Sequence, residues 1–126
     1  MKHYQLFLFI VAGLMAGSCS LLHKSNNPVT NNDLIDSEWM IRYKIKGEGR
    51  YNYKVTFQKH GDFKNGHPPD NSKTNDTWKL EGDTIVMSIN DGYATYKGTF
   101  VSKHKMKGST SNTVNHHWKW KAVRVR

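Results

Sequence analysis

A single cysteine in 126 residues leaves the chain no internal disulfide and no cysteine-built zinc site. Acidic side chains are also scarce. Ten Asp and Glu stand against nineteen Lys and Arg, for a formal net charge of +9, and none follows Asp91. An excess of that size suits anionic surroundings or partners. Hydrophobic residues reach only 37%, no stretch repeats at helical period, and the apolar content leans toward aromatics at 12%. This speaks against a helical bundle and for one small β domain. Catalytic machinery is thin as well. No serine sits in a nucleophile elbow, and the carboxylates fall mostly in turns or at strand ends, without a sheltered pair. The histidines form no H-x-H pair and no spaced triad, so no metal site is read. One conditional remains: pairing of the last two strands would bring inward-parity His104 toward His116. Neither an enzyme activity nor a cofactor is expected.

The amino-terminal segment has its own logic. Lys2 supplies a positive charge, Leu6 to Ala16 is an unbroken apolar run, and Ala16, Gly17 and Ser18 are small. These are the parts of a secretory signal. Cys19 follows at once, and Ala16-Gly17-Ser18-Cys19 resembles the lipobox of bacterial lipoproteins. The resemblance implies a diacylglyceryl group on the Cys19 thiol, cleavage before it, and acylation (palmitate-type) of the new amino terminus. Two acyl signals or more are what stable anchoring needs. Other readings of the segment are an ordinary thiol beyond a normal signal, or a retained anchor, since no residue from Tyr4 to Leu22 is charged. Ser20 after the cysteine implies, by the same resemblance, the outer membrane over the inner. The expected organisation is a signal peptide over 1–18, a lipid anchor and flexible tether over 19–35, and a folded domain over 36–126. Asn, Pro and Ser/Thr without sustained period mark the tether.

From Ser37 onward the sequence alternates. Trp39, Ile41, Tyr43 and Ile45 share one parity, while Met40, Arg42, Lys44 and Lys46 share the other. That predicts a strand with one buried and one wet face. Gly47 and Gly49 mark a turn, and Tyr51, Tyr53, Val55 and Phe57 form the next inward set. Further inward sets are Trp78 with Leu80, Ile85 with Met87 and Ile89, and Ala94 with Tyr96, Gly98 and Phe100. Met106 and Gly108 mark a seventh strand, and His116 to Val125 the last, with Trp118, Trp120 and Ala122 inward. Asn90-Asp91-Gly92 is a hairpin signal, and 65–75 reads as the one long loop. Even spacing and short turns predict an antiparallel up-and-down meander of about eight strands closing into a small barrel.

The pattern looks like the small lipocalin-like domains of bacterial lipoproteins. Ser37-Glu38-Trp39 is similar to the Gly-x-Trp that opens lipocalin barrels, and the resemblance implies a late Arg, Arg124 or Arg126, over that Trp. If the barrel has a pocket, Tyr43, Tyr51, Tyr53, Trp78, Tyr96 and Trp120 are its expected lining. On the outward parity Lys97, Lys103, Lys105, Lys107, Lys119 and Lys121 predict a basic strip, with Lys105, Lys107, Lys119 and Lys121 as its local patch, read either as solubility and edge protection or as contact with anionic lipid, glycolipid or an acidic envelope protein. Nucleic acid is excluded as a partner because the aromatics that would stack on bases point inward. The function expected is non-enzymatic: a lipid-anchored cell-envelope protein binding a small apolar or amphiphilic ligand or an envelope component. The alternative is a protein-directed inhibitor or immunity-type module acting through a loop or rim of a filled barrel.

Overall fold

A computed structural model of the chain describes residues 28–66 and 75–126. Cys19, the expected signal over 1–18 and most of the loop over 65–75 lie outside the described residues. Eight strands succeed one another: β1 (Glu38–Ile45), β2 (Gly49–Phe57), β3 (Phe63–Asn65), β4 (Thr77–Glu81), β5 (Thr84–Ile89), β6 (Ala94–Ser102), β7 (Lys105–Asn112) and β8 (His117–Arg124). All pairings are antiparallel between sequence neighbours, except that β8 returns to β1. The order around the wall is β3-β2-β1-β8-β7-β6-β5-β4. One bridge, Asp62 to Thr77, and one bond of 3.2 Å from the Phe63 N–H to the Asp76 carbonyl draw β3 and β4 together. The expected all-β up-and-down meander is present, as a nearly closed barrel.

Alternation produces this shape because side chains on a strand leave on opposite faces. Trp39, Ile41, Tyr53, Val55, Phe57, Ile85, Met87, Tyr96, Met106, Trp120 and Ala122 are all buried inside. Aromatic edges lock the interior: Trp39 meets Phe57 and Phe100 edge-on at 6.4 and 6.1 Å, and Phe57 meets Trp78 at 5.2 Å. The turns lie where the sequence tolerates left-handed backbone. Gly47 and Gly49 have φ of 87° and 120°, while Asn90, Asp91 and Gly92 have 51°, 54° and 85°.

The segment before β1 departs from expectation. Within the expected tether, Asn31–Leu34 form a helical turn, α1, and Leu34 is buried against the barrel core with Val29 and Ile35 beside it. Burying those three apolar side chains is what docks this part of the chain. The Asp33 carboxylate accepts from the Thr30 N–H and hydroxyl, both at 2.8 Å, and the Thr30 backbone bond is the chief reason its pKa falls below the ordinary value. Arg124 lies opposite Trp39 in the β1–β8 register and donates to the Asp33 carbonyl at 3.0 Å. Trp39 Nε1 donates to Ser37 Oγ at 2.8 Å, and that hydroxyl donates on to the Leu34 carbonyl. One end of the barrel is closed by these bonds.

His104 and His116 do not meet. Strands β7 and β8 pair as expected, but antiparallel pairing sends the two histidines to opposite ends. The His104 carbonyl accepts from Arg124 N–H, the His116 carbonyl from Asn112 N–H, and both side chains are exposed.

Candidate functional site

The site begins with two glycines. Gly98 on β6 is directly opposite Gly108 on β7, and Gly108 is opposite Trp120 on β8. A Cβ on Gly98 would lie 2.6 Å from the Trp120 ring, and one on Gly108 would overlap the Lys97 carbonyl. Only glycine fits either position. The Trp120 indole occupies the space that a Gly98 side chain would have filled, with Nε1 donating to the Ser109 carbonyl at 3.1 Å, and the Lys97 and Gly98 backbone occupies the space beside Gly108. Without side chains at these positions the β6 and β7 backbone lies close to the indole, and Gly98, Gly108 and Trp120 border a recess on the outer surface.

That recess is an open trough of about 1180 Å³ on the outside of the barrel. It is lined by Arg42 and Lys44 of β1, Arg50 of β2, Lys97 of β6, Lys107 of β7, and Lys119 and Lys121 of β8, with no carboxylate among the lining residues. Strand register arranges them. Arg42 is opposite Lys121, and Lys121 is opposite Lys107, so three cations sit side by side on one rung. Asn52 continues that rung on one side and Thr99 then Thr84 on the other. Lys119, Ser109 and Lys97 form the neighbouring rung, and Lys44 faces Arg50.

Like charges placed directly opposite one another destabilise a sheet by tenths of a kcal/mol per pair, up to about 1. Among the described residues no ion pair relieves this repulsion. The ion pairs among the described residues join Lys54 and Arg126 to Glu38, and Lys79 to Glu81, and none of these cations lines the trough. Lys97 feels one weak attraction, from Glu81, whose carboxyl is held below the ordinary value first by its bond from Lys79 and more weakly by Lys97. The trough thus gathers positive charge, with Met40, Val123, Tyr43 and Tyr51 adding apolar wall.

Of the lysines expected on a basic strip, Lys97, Lys107, Lys119 and Lys121 line the trough and Lys103 does not. Lys105 is exposed at the start of β7, opposite Val123, and does not. Sequence reasoning placed Arg42 and Lys44 on an outward face without joining them to the strip, and missed Arg50.

The expected aromatic lining divides in two. Tyr43 stacks on Tyr51 at 5.0 Å, meets Tyr53 edge-on at 6.0 Å, and lies 5.6 Å from Trp118. Tyr96 joins them through Trp118 and Trp120, at 6.0 and 5.9 Å. Tyr43, Tyr51 and Trp118 are half-buried, so this group forms an aromatic mouth at the end of the barrel away from α1. Trp78 stands apart, packed on Phe57 with Nε1 donating to the Gln58 carbonyl at 2.9 Å. Burial pushes the hydroxyls of Tyr43, Tyr53 and Tyr96 above the usual phenol range, and the first two face the third. Thr110 Oγ1 and Trp118 Nε1 are buried without a hydrogen bond of normal geometry, and both face the Tyr96 hydroxyl. Beneath the mouth Trp39, Trp120, Met87, Met106 and Ile41 fill the barrel. A further buried polar group, Asp76, was not anticipated; its carboxylate accepts from the Asn90 N–H at 2.8 Å and ties the β3–β4 seam to the β5–β6 turn.

No protein-family model, no curated protein and no solved structure matches the chain.

Proposed function

We propose that this protein is a non-enzymatic, lipid-anchored protein of the bacterial cell envelope that binds an anionic envelope component in the outer-wall trough. One observation carries the reading: seven cations from five strands line one trough with no carboxylate among them. Solubility alone requires positive charge but does not require it gathered in a concavity. Charge concentrated in a recess focuses the field and raises the local concentration of anions. The lipocalin-like reading is supported by Arg124 lying opposite Trp39 at the closed end. A ligand inside the barrel has less support, because it would have to displace packed side chains such as Trp120 and Met87. Anchoring rests on Ala16-Gly17-Ser18-Cys19, and outer-membrane placement on Ser20.

The test uses the full chain purified in neutral detergent and fixed on a sensor surface. Polyglutamate and oligogalacturonate serve as soluble polyanions. At low ionic strength at least one should bind, and salt should release it as the screening length shrinks to ~10 Å at 0.1 M. Replacing Lys107, Lys119 and Lys121 by Gln should remove about 1 kcal/mol of binding per charge. If neither these polyanions nor polyphosphate nor vesicles of phosphatidylglycerol bind at low salt, the reading fails. For the anchor, a palmitate analogue fed to cells should label the wild type and leave Cys19→Ser unlabelled.

A further inference from the structure

Resting on the proposed anion-binding role, we infer that the trough takes a chain of acidic sugars, a glycan carrying one carboxylate per unit, laid across the strands. Four features of the trough choose this class.

The first is shape. A bilayer headgroup plane needs a flat or convex basic face, whereas these cations line a recess of about 1180 Å³. A narrow chain can enter a recess that a plane can only bridge. The second is spacing. Arg42, Lys121 and Lys107 share one rung on three adjacent strands. Neighbouring strands are about 4.8 Å apart, close to the length of one hexose unit in a linear chain. A polymer with a carboxylate on every unit thus carries charge at nearly the repeat of the strands. The third is the neutral lining. The Asn52, Thr99 and Ser109 side chains are exposed in the trough and make no hydrogen bond to any described residue. Short hydroxyls and amides set between cations are suited to a ligand that is hydroxylated as well as charged. The fourth weighs against a peptide. The β1, β8, β7 and β6 strands beneath the trough are each paired on both sides, so they present no free edge for strand addition. A peptide would be held by its charge alone.

The experiment compares four probes on the same immobilised full chain: a galacturonate hexamer, polyglutamate of equal charge, polyphosphate of equal charge, and vesicles of phosphatidylglycerol or phosphatidylcholine. The hexamer should bind about tenfold more tightly than polyglutamate, the gain that two or three added hydrogen bonds provide. Its methyl ester should not bind. Thr99→Val with Ser109→Ala should lower hexamer affinity several-fold and leave polyglutamate unchanged, with far-ultraviolet circular dichroism confirming the fold. Polyglutamate or polyphosphate binding as tightly as the hexamer overturns the inference. So does retention of phosphatidylglycerol over phosphatidylcholine vesicles that the hexamer cannot compete away, or an unchanged hexamer affinity in the double variant. Those results leave the anion-binding role standing. Silence from every probe at low salt overturns both.

Discussion

Trp39 has no exposed surface and a satisfied indole nitrogen. It touches Phe57 and Phe100 by ring edges, and its backbone lies between Val55 of β2 and Arg124 of β8. Trp39→Ala should therefore cost about 3–5 kcal/mol in denaturant unfolding, much of a small domain's stability. A loss below about 1 kcal/mol would mean that the β1 register is wrong. Trp39→Phe separates two parts of that cost, keeping a ring while leaving Ser37 Oγ without its donor. The buried tyrosines allow a second test at this scale. Burial raises the folded-state pKa of Tyr43, Tyr53 and Tyr96, so the folded protein holds protons that the unfolded chain releases near pH 10. Their contribution to stability is complete below that pH and is lost as pH rises toward the folded values. Near-ultraviolet absorbance should show these three phenols ionising late, together with unfolding. Early, independent ionisation of all phenols would contradict the packed mouth.

At the scale of elements, the two facing glycines decide the outer surface as much as the inner. Gly98→Ala drives a methyl into the Trp120 ring, and Gly108→Ala drives one into the Lys97 carbonyl. Each should destabilise the barrel by about 1–3 kcal/mol, as overpacked cores do. Gly82 is the control: its turn is open, with nothing within 4 Å of an added Cβ, and its φ of +62° is one that Asn adopts readily. Gly82→Asn should change stability by about 0.5 kcal/mol or less. If Gly98→Ala also weakens polyanion binding while Gly82→Asn does not, the recess and the glycine row are one feature. The strands themselves were legible, because Trp39 to Ile45 and Tyr51 to Phe57 alternate without interruption. Helix α1 was not. Four residues with no apolar period look like tether, and only Leu34 finding the barrel core makes them a docked turn.

Across the whole molecule the charge carries a measurable cost. With Arg42, Lys121 and Lys107 on one rung, self-repulsion should make the fold less stable at low ionic strength. Added salt should raise the melting temperature of the wild type. Lys107→Gln with Lys121→Gln should melt higher than the wild type at low salt and gain less from added salt. Equal salt dependence in both proteins would mean that the lysines stand too far apart to interact. This cost is consistent with binding: an anion in the trough would relieve it, so ligand and salt should stabilise by the same route.

The sequence by itself determined which residues face in and which face out, because a strand's period of two is a local property. Lys107, Lys119 and Lys121 were thus readable as one outward set, and Tyr43, Tyr53, Tyr96 and Trp120 as inward ones. It could not show that Arg42, seventy-nine positions before Lys121 in the chain, lies beside it. Barrel closure of β8 onto β1 was expected, but the register that sets Arg42 against Lys121 joins the two ends of the domain, and no local pattern encodes it. Nor could it show a concavity on the outside of a barrel. Gly98 and Gly108 were visible as glycines, but only the register shows that they face each other beside the Trp120 indole and border the recess that the cations line.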